Sequence, residues 1–266
     1  MIIQITNRCH MGCPHCMQDS TPDGKHMTEE TFQKVLDFCH EVEPVVVNVS
    51  GGEPLEHPDW LKMVKALLEI KSVHVLTILT NGYWIEDNTQ RIAMAKLIRS
   101  SKGRVKVQVY SHPKYYKNHE WTVSHEAQFR SIGCIPDFKS PIFMQDLGRA
   151  RKNCQEEVKE STYVPSCINS HLLAVQTRSL QAFHWATIQA AKFCRPLIDP
   201  EGNIHMSESC LCPTVASVFD GVDKAFDKMK RSRPCKGCQL YKNFEQLHPK
   251  EMEVLNQSKV YYERVR

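Results

Sequence analysis

Nowhere in this 266-residue sequence does an apolar run reach the length of about 20 residues that a helix needs to cross a bilayer. A secretory signal is missing too: Met1 runs directly into Ile2-Ile3-Gln4-Ile5, with no basic stretch, no long apolar segment and no small-residue cleavage site. Neither sign of charge dominates, since 34 basic against 30 acidic residues leave +4, too little to argue for nucleic acid as a partner. Internal repeats, low-complexity tracts and long flexible linkers are absent. These absences point to a soluble, cytoplasmic protein of one large domain, or one plus a small appendage, with no membrane and no nucleic-acid partner. A chain of this length can bury a core without disulfides. In a reducing compartment its one compositional surplus, twelve cysteines, speaks for metal or catalysis rather than cross-links.

Strands alternate with helices through the first half. Met1–Thr6 is a short apolar strand, and Thr28–Glu41 carries Phe32, Val35, Leu36 and Cys39 at helical spacing behind a Glu-rich first turn. Val45–Val49 is β-branched at every position but Asn48 and is bounded by Pro44 and Gly51-Gly52, as a buried parallel strand is. Pro58–Ile70 and Glu86–Arg99 read as helices, Val73–Thr80 and Val105–Tyr110 as strands. Such a run predicts a parallel sheet that closes fully or partly into a barrel. Beyond Ser111 the pattern weakens: a loop over Ser111–Glu120, a helix around Thr122–Ile132, and strands near Pro141–Met144 and Leu172–Gln176. From Cys194 onward the chain turns rich in cysteine, proline and glycine, with only Val222–Lys230 reading as a helix, so a boundary is expected near residue 180.

Cys9, Cys13 and Cys16 form C-x3-C-x2-C directly after the first strand. At this cysteine frequency chance supplies only about 0.02 such triplets. Three thiolates on one loop can hold three irons of a cubane cluster and leave the fourth iron open to a substrate or cofactor, or they can form a zinc loop with a distant fourth ligand. The second strand ends in Ser50-Gly51-Gly52-Glu53-Pro54, so both motifs lie at C-terminal strand ends, where barrels of this type do chemistry. Paired glycines let a ligand approach the backbone closely.

The two motifs, in this order and spacing, resemble the radical S-adenosylmethionine superfamily over roughly residues 1–150. The resemblance implies a partial (β/α)6 TIM-type barrel, an α/β fold, in which Cys9, Cys13 and Cys16 ligate a [4Fe–4S] cluster whose open iron is chelated by S-adenosylmethionine. It further implies that Gly51, Gly52 and Glu53 contact the methionine amino end and that His15 takes the family's aromatic slot near the adenine. Thr80-Asn81-Gly82 looks like the family's Thr-Asn-Gly turn, which adds Asn81, and Ser111 stands where many members carry a serine that touches the cofactor. After that serine the family often continues Leu-Asp-Gly, whereas this chain has His112-Pro113-Lys114. Gly148-Arg149-Ala150 resembles a segment of members with an extra C-terminal cluster, and Arg149 is expected to help hold the cofactor.

Cys194, Cys210, Cys212, Cys235 and Cys238 fall within 45 residues, with Cys235-Lys236-Gly237-Cys238 a C-x2-C knuckle and Asp199–Asn203 a turn suited to a hairpin. Spacing alone allows either a structural zinc or an all-cysteine iron–sulfur cluster. The arrangement is similar to SPASM and twitch extensions. With no cysteine after Cys238 it matches the shorter, twitch-like form with one auxiliary [4Fe–4S] cluster, in which either Cys210 or Cys212 is the second ligand. The expected division is therefore 1–180 for the partial barrel and 181–266 for a small C-terminal cysteine-rich cluster-binding extension. Cys39 and Cys134 read as core residues, while Cys154 and Cys167 stand as core or active-site candidates.

By this resemblance the protein is an enzyme that reductively cleaves S-adenosylmethionine to a 5′-deoxyadenosyl radical. The radical abstracts hydrogen from a substrate, with the auxiliary cluster assisting. A peptide or protein side chain is the first substrate class, a sugar, nucleoside or cofactor precursor the second, and a non-catalytic metal or electron-transfer role the third. A flavodoxin- or ferredoxin-type donor is the implied electron source. Because the chain opens on strand one, a separate partner is expected to supply any peptide-recognition domain.

Overall fold

A computed structural model describes residues 1–139, 147–160, 196–205, 214–221, 223–225 and 228. The chain divides into two units, Met1–Ser161 with Ile198–Asn203, and Thr162–Leu197 with Ile204–Arg266. The boundary expected near residue 180 lies outside the described residues.

The first unit alternates β1 (Ile2–Thr6), α1 (Glu29–Val42), β2 (Val46–Gly51), α2 (Trp60–Glu69), β3 (Val75–Thr80), α3 (Asn88–Ser100), β4 (Val105–Tyr110), α4 (His119–Ser124), α5 (Glu126–Ser131) and β5 (Ile135–Asp137). Two short helices follow, α6 (Ala150–Asn153) and α7 (Gln155–Glu160). The five strands lie side by side in the order β5-β4-β3-β2-β1, and each neighbouring pair is parallel. This is the α/β fold of a partial barrel. The first four strands and three helices fall within two residues of their sequence bounds, because each has a strong period: Thr28 caps α1 by accepting from the Thr31 N–H at 3.1 Å, and Asp87 caps α3 through the N–H groups of Thr89 and Gln90.

One face of each of the first four strands is fully buried: Ile3 and Ile5, Val47 and Val49, Leu76 and Ile78, Val107 and Val109. The α1 residues Phe32, Val35 and Phe38, and the α2 residues Met63, Val64 and Leu67, are equally buried. The alternate positions Asn48, Ser50, Thr77 and Gln108 are polar and only half-buried. The sheet thus has one greasy face and one mixed face, on which half-buried Ile2, Val46, Val75 and Leu79 lie among these polar groups and Gln4 and Thr6 are buried.

Two features depart from expectation. The single helix around Thr122–Ile132 is two, broken at His125, whose N–H turns to the carbonyls of Thr122 and Val123 while its Nδ1 lies 2.8 Å from the Trp121 carbonyl. A fifth strand occurs at Ile135–Asp137, upstream of any expected; it contains Pro136, which cannot donate to a ladder and is tolerated because β5 meets only β4 among these five. The strands expected near Pro141–Met144 and Leu172–Gln176 lie outside the described residues.

The Asp199–Asn203 turn forms as expected, with the Asp199 N–H donating to the Asn203 carbonyl at 3.1 Å and Asp199 Oδ1 accepting from the N–H groups of Glu201 and Asn203. In the second unit, Thr214–Ser217 is a strand that ends in a capping box between Ser217 and Asp220. No helix among the described residues is long and apolar enough to cross a membrane.

Candidate functional site

Parallel strands place all their C-terminal ends at one edge, and there the motifs meet. From β1 the chain enters the cysteine loop, which is held along its length by hydrogen bonds to neighbouring backbone. The Asn7 N–H donates to the Lys25 carbonyl and the Cys9 N–H to the Thr21 carbonyl, each at 2.8 Å, so the loop's outgoing and returning limbs pair. From β2 comes the second motif: the Gly52 N–H donates to the Thr6 carbonyl at 2.9 Å and the Glu53 N–H to the Arg8 carbonyl at 2.8 Å. Only glycine fits here, since a Cβ on Gly51 would stand 2.3 Å from the Thr6 oxygen and one on Gly52 2.2 Å from the Arg8 oxygen.

Glu53 ties this turn to the end of β3. Its Oε1 accepts from the Thr80 hydroxyl at 2.7 Å and the Leu55 N–H at 3.2 Å, and its Oε2 from the Asn81 N–H at 2.8 Å. The residue is 2% exposed, and burial pushes its carboxyl up to about 7 despite those three donors. Thr80, missed as a site residue by sequence reasoning, is the hub: its hydroxyl also accepts from the Gly82 N–H and the Trp84 indole, both at 3.0 Å. Asn81 accepts from the Tyr83 N–H and directs Nδ2 at Cys9 Sγ, 4.0 Å away.

The thiols of Cys9, Cys13 and Cys16 are all free of disulfides. Cys9 and Cys13 are buried, and desolvation pushes the Cys9 thiol up to about 12 and the Cys13 thiol in the same direction. Cys16, half-buried, accepts the Ser20 N–H at 3.4 Å. Among the described residues no three His, Cys, Asp or Glu converge as ligands of one ion. The chemistry of the donor set fits a cluster: three soft sulfurs on one braced loop, with N–H groups of Asn81, Lys117 and Ser20 at Cys9, Cys13 and Cys16 of the kind that tune cluster thiolates.

His15 is 7% exposed, with ring centroids 4.8 Å from Tyr116 and 5.3 Å from Tyr115. Burial lowers its pKa to about 4, so the imidazole is neutral, and among the described residues its Nδ1 has no hydrogen-bond partner. The buried Asn118 likewise leaves Oδ1 unpartnered while its Nδ2 lies 3.4 Å from the Asn81 carbonyl. Two orphaned polar atoms at this strand-end edge suit a polar ligand that would satisfy them. Ser111 is brought to the same edge, buried, its hydroxyl 3.1 Å from His119 Nδ1. The Tyr115, Tyr116 and Asn118 contributions come from a stretch that reads only as a polar loop, with no sequence signal for them.

Arg149 also arrives at the cysteine loop, on its backbone: Nε donates to the Cys13 carbonyl and Nη1 to that of Ser20, both at 2.9 Å. Cys39 and Cys134 are buried as expected, and Cys154 packs with Ala150 against Met17 and Tyr115. Cys167 and the second group, Cys194, Cys210, Cys212, Cys235 and Cys238, lie outside the described residues.

The family model described as Radical SAM superfamily matches residues 3–132. The chain is 30% identical over 101 residues to the GTP 3',8-cyclase of Peptoclostridium acidaminophilum, covering 36% of this chain and 31% of that protein. It is 36% identical over 67 residues to the PqqA peptide cyclase of Bradyrhizobium diazoefficiens, covering 24% and 18%. The chain thus matches less than a third of the length of these relatives. Among solved structures, BtrN in complex with AdoMet and 2-DOIA has a TM-score of 0.56 at 12% identity, covering 92% of this chain and 88% of that one. Streptococcus suis SuiB bound to S-adenosylmethionine has a TM-score of 0.50 at 14% identity, covering 91% and 70%. At such identities the likeness is one of fold.

Proposed function

Residues 3–132 are a radical S-adenosylmethionine superfamily domain, and on that premise we propose that the chain is an enzyme that uses S-adenosylmethionine to abstract hydrogen from a peptide or protein side chain. The observation that supports this most is the junction of the two motifs: a loop of three disulfide-free thiols hydrogen-bonded, through the Thr6 and Arg8 carbonyls, to the Gly51-Gly52-Glu53 turn. When bound, a [4Fe–4S] cluster and S-adenosylmethionine supply reductive cleavage of a sulfonium and removal of a substrate hydrogen.

In this reading Cys9, Cys13 and Cys16 hold the cluster. A carboxylate offers about four acceptor positions, and Glu53 has filled three, leaving one on Oε2 for the ammonium of the methionine moiety. Neutral His15, wedged against Tyr115 and Tyr116, offers Nδ1 to the edge of a purine, and Asn118 offers Oδ1 to a hydroxyl or amine. Asn81 orients Cys9 through its amide, and Ser111, held by His119, stands by for the carboxylate or ribose. The second group, Cys194, Cys210 or Cys212, Cys235 and Cys238, holds an auxiliary cluster, and a flavodoxin- or ferredoxin-type donor supplies electrons.

The similarity to PqqA peptide cyclase supports a peptide substrate. That to GTP 3',8-cyclase supports a second reading, a small molecule such as a nucleotide. Anaerobic purification with iron and sulfide analysis is expected to find about eight irons per chain if both sites carry cubanes. Replacing Cys9, Cys13 and Cys16 together by alanine should abolish reductive cleavage of S-adenosylmethionine, and undiminished cleavage would overturn the assignment. Deuterium carried into 5′-deoxyadenosine from labelled peptides but not from labelled nucleotides separates the two substrate classes.

A further inference from the structure

The cysteine loop is clamped by a segment 129 to 139 positions away. The Arg149 backbone N–H donates to the Cys16 carbonyl at 2.9 Å, its Nε to the Cys13 carbonyl at 2.9 Å, and its Nη1 both to the Ser20 carbonyl at 2.9 Å and to Asp19 Oδ1 at 3.1 Å. Asn153 adds Nδ2 to the Pro14 carbonyl at 3.2 Å. Four loop carbonyls, of residues 13, 14, 16 and 20, are therefore satisfied from one short stretch. Along Cys13–Ser20 there is neither helix nor ladder, and of the four only the Cys13 carbonyl has a donor within the loop, the Cys16 N–H at 3.3 Å, so the Arg149 stretch supplies most of what these groups need. The fit is close: Gly148 has φ +49, and a Cβ there would stand 2.6 Å from the Cys16 oxygen and 2.7 Å from that of Met17. Behind this contact Ala150, with no exposed surface, and Cys154 pack against Met17 of the same loop.

We propose that Arg149 is a positioning residue: it fixes the cysteine loop in its ligating conformation and does not contact S-adenosylmethionine. This rests on the reading that Cys9, Cys13 and Cys16 hold the cluster. Three of the five guanidinium N–H groups are already directed at the loop, in three directions that a planar fork serves and a lysine ammonium does not. The carbonyl of Cys13 is thereby set from Arg149, and the thiol of the same residue is set with it. Asp19, 64% exposed in its side chain, takes a peripheral share. The loop is thus ordered before iron arrives, and cluster uptake does not have to organise it.

The test compares Arg149→Ala, Arg149→Lys and Asp19→Asn in the full chain. Three quantities are read: loss of iron from the reconstituted protein to a ferrous chelator, alkylation of Cys13 and Cys16 by N-ethylmaleimide before reconstitution, and affinity of the cluster-loaded fraction for S-adenosylmethionine. Arg149→Ala is expected to speed iron loss and alkylation about tenfold, Arg149→Lys to fall between, and Asp19→Asn to stay within about twofold, with affinity in the loaded fraction unchanged. Should Arg149→Ala fail to fold, Arg149→Lys carries the same comparison. Parental rates of iron loss and alkylation combined with weakened S-adenosylmethionine binding would overturn the proposal and make Arg149 a cofactor contact. A parent protein that takes up no iron or sulfide would overturn the underlying cluster reading, while the alkylation rates would still decide the clamp.

Discussion

Replacing Gly52 by alanine tests how tightly the two motifs are joined. The added Cβ would lie 2.2 Å from the Arg8 carbonyl oxygen, 2.6 Å from its carbon and 2.8 Å from Cys9 Cβ, where ordinary contact begins at 3.4 Å. Relief requires the turn and the cysteine loop to separate by more than an ångström, roughly the scale on which a packed core loses its contacts. That movement breaks the Gly52-to-Thr6 and Glu53-to-Arg8 hydrogen bonds, at 2.9 and 2.8 Å. Two backbone bonds at about 1 kcal/mol each, with about 1–3 kcal/mol of overpacking, give a cost of roughly 3–5 kcal/mol. For a chain of this size that is a fall in melting temperature of roughly 6–20 °C. Gly103→Ala is the comparator: its φ is +86 but nothing stands within 4 Å of the new Cβ, so it pays only the left-handed penalty, about 1–2 kcal/mol. Thermal melts of both variants, with iron content after reconstitution, read the outcome. If the loop yields instead of the fold, melting is retained and iron is lost. A Gly52→Ala protein that melts within about 2 °C of the parent and takes up full iron would refute the argument.

Two further outcomes follow from the same network. Glu53 titrates near 7 in the folded chain against 4.5 ordinarily, so its contribution to stability is full below about 4.5 and is lost as pH rises through about 7, up to about 3 kcal/mol in all. Urea unfolding at pH 5 and pH 8 should show that loss in the parent and not in Glu53→Gln, and equal pH slopes would refute it. Thr80→Val removes one hydroxyl donor and strands the Gly82 N–H and the Trp84 indole, at a cost of roughly 3 kcal/mol, whereas Thr28→Val removes an N-cap and a hydroxyl bond to Thr31, at about 1–2 kcal/mol. Denaturation midpoints in the reverse order would show that Thr80 is not the hub.

Local chemistry determined a large share of this molecule. The C-x3-C-x2-C spacing, the Gly-Gly-Glu-Pro turn and four strands with their helices are legible because each depends on periodicity, capping and glycine within a few residues. β5 was not legible, because its Pro136 argues against a strand and only the free side of a sheet edge makes it tolerable. The break at His125 within an otherwise helical stretch had no proline or glycine to announce it.

The site shows the same division. Sequence placed Cys9, Cys13, Cys16, Gly51, Gly52, Glu53 and Asn81 at strand ends, and the parallel sheet puts those ends on one edge. Only the tertiary structure decided what each group has left to offer: one open acceptor on Glu53, an unpartnered Nδ1 on His15, and a guanidinium at Arg149 directed at loop carbonyls. Strand order and motif spacing are properties of neighbours along the chain. Hydrogen-bond partners, burial and the pKa that burial shifts are properties of whatever folding brings alongside, and for Arg149 that is a loop 129 to 136 residues away.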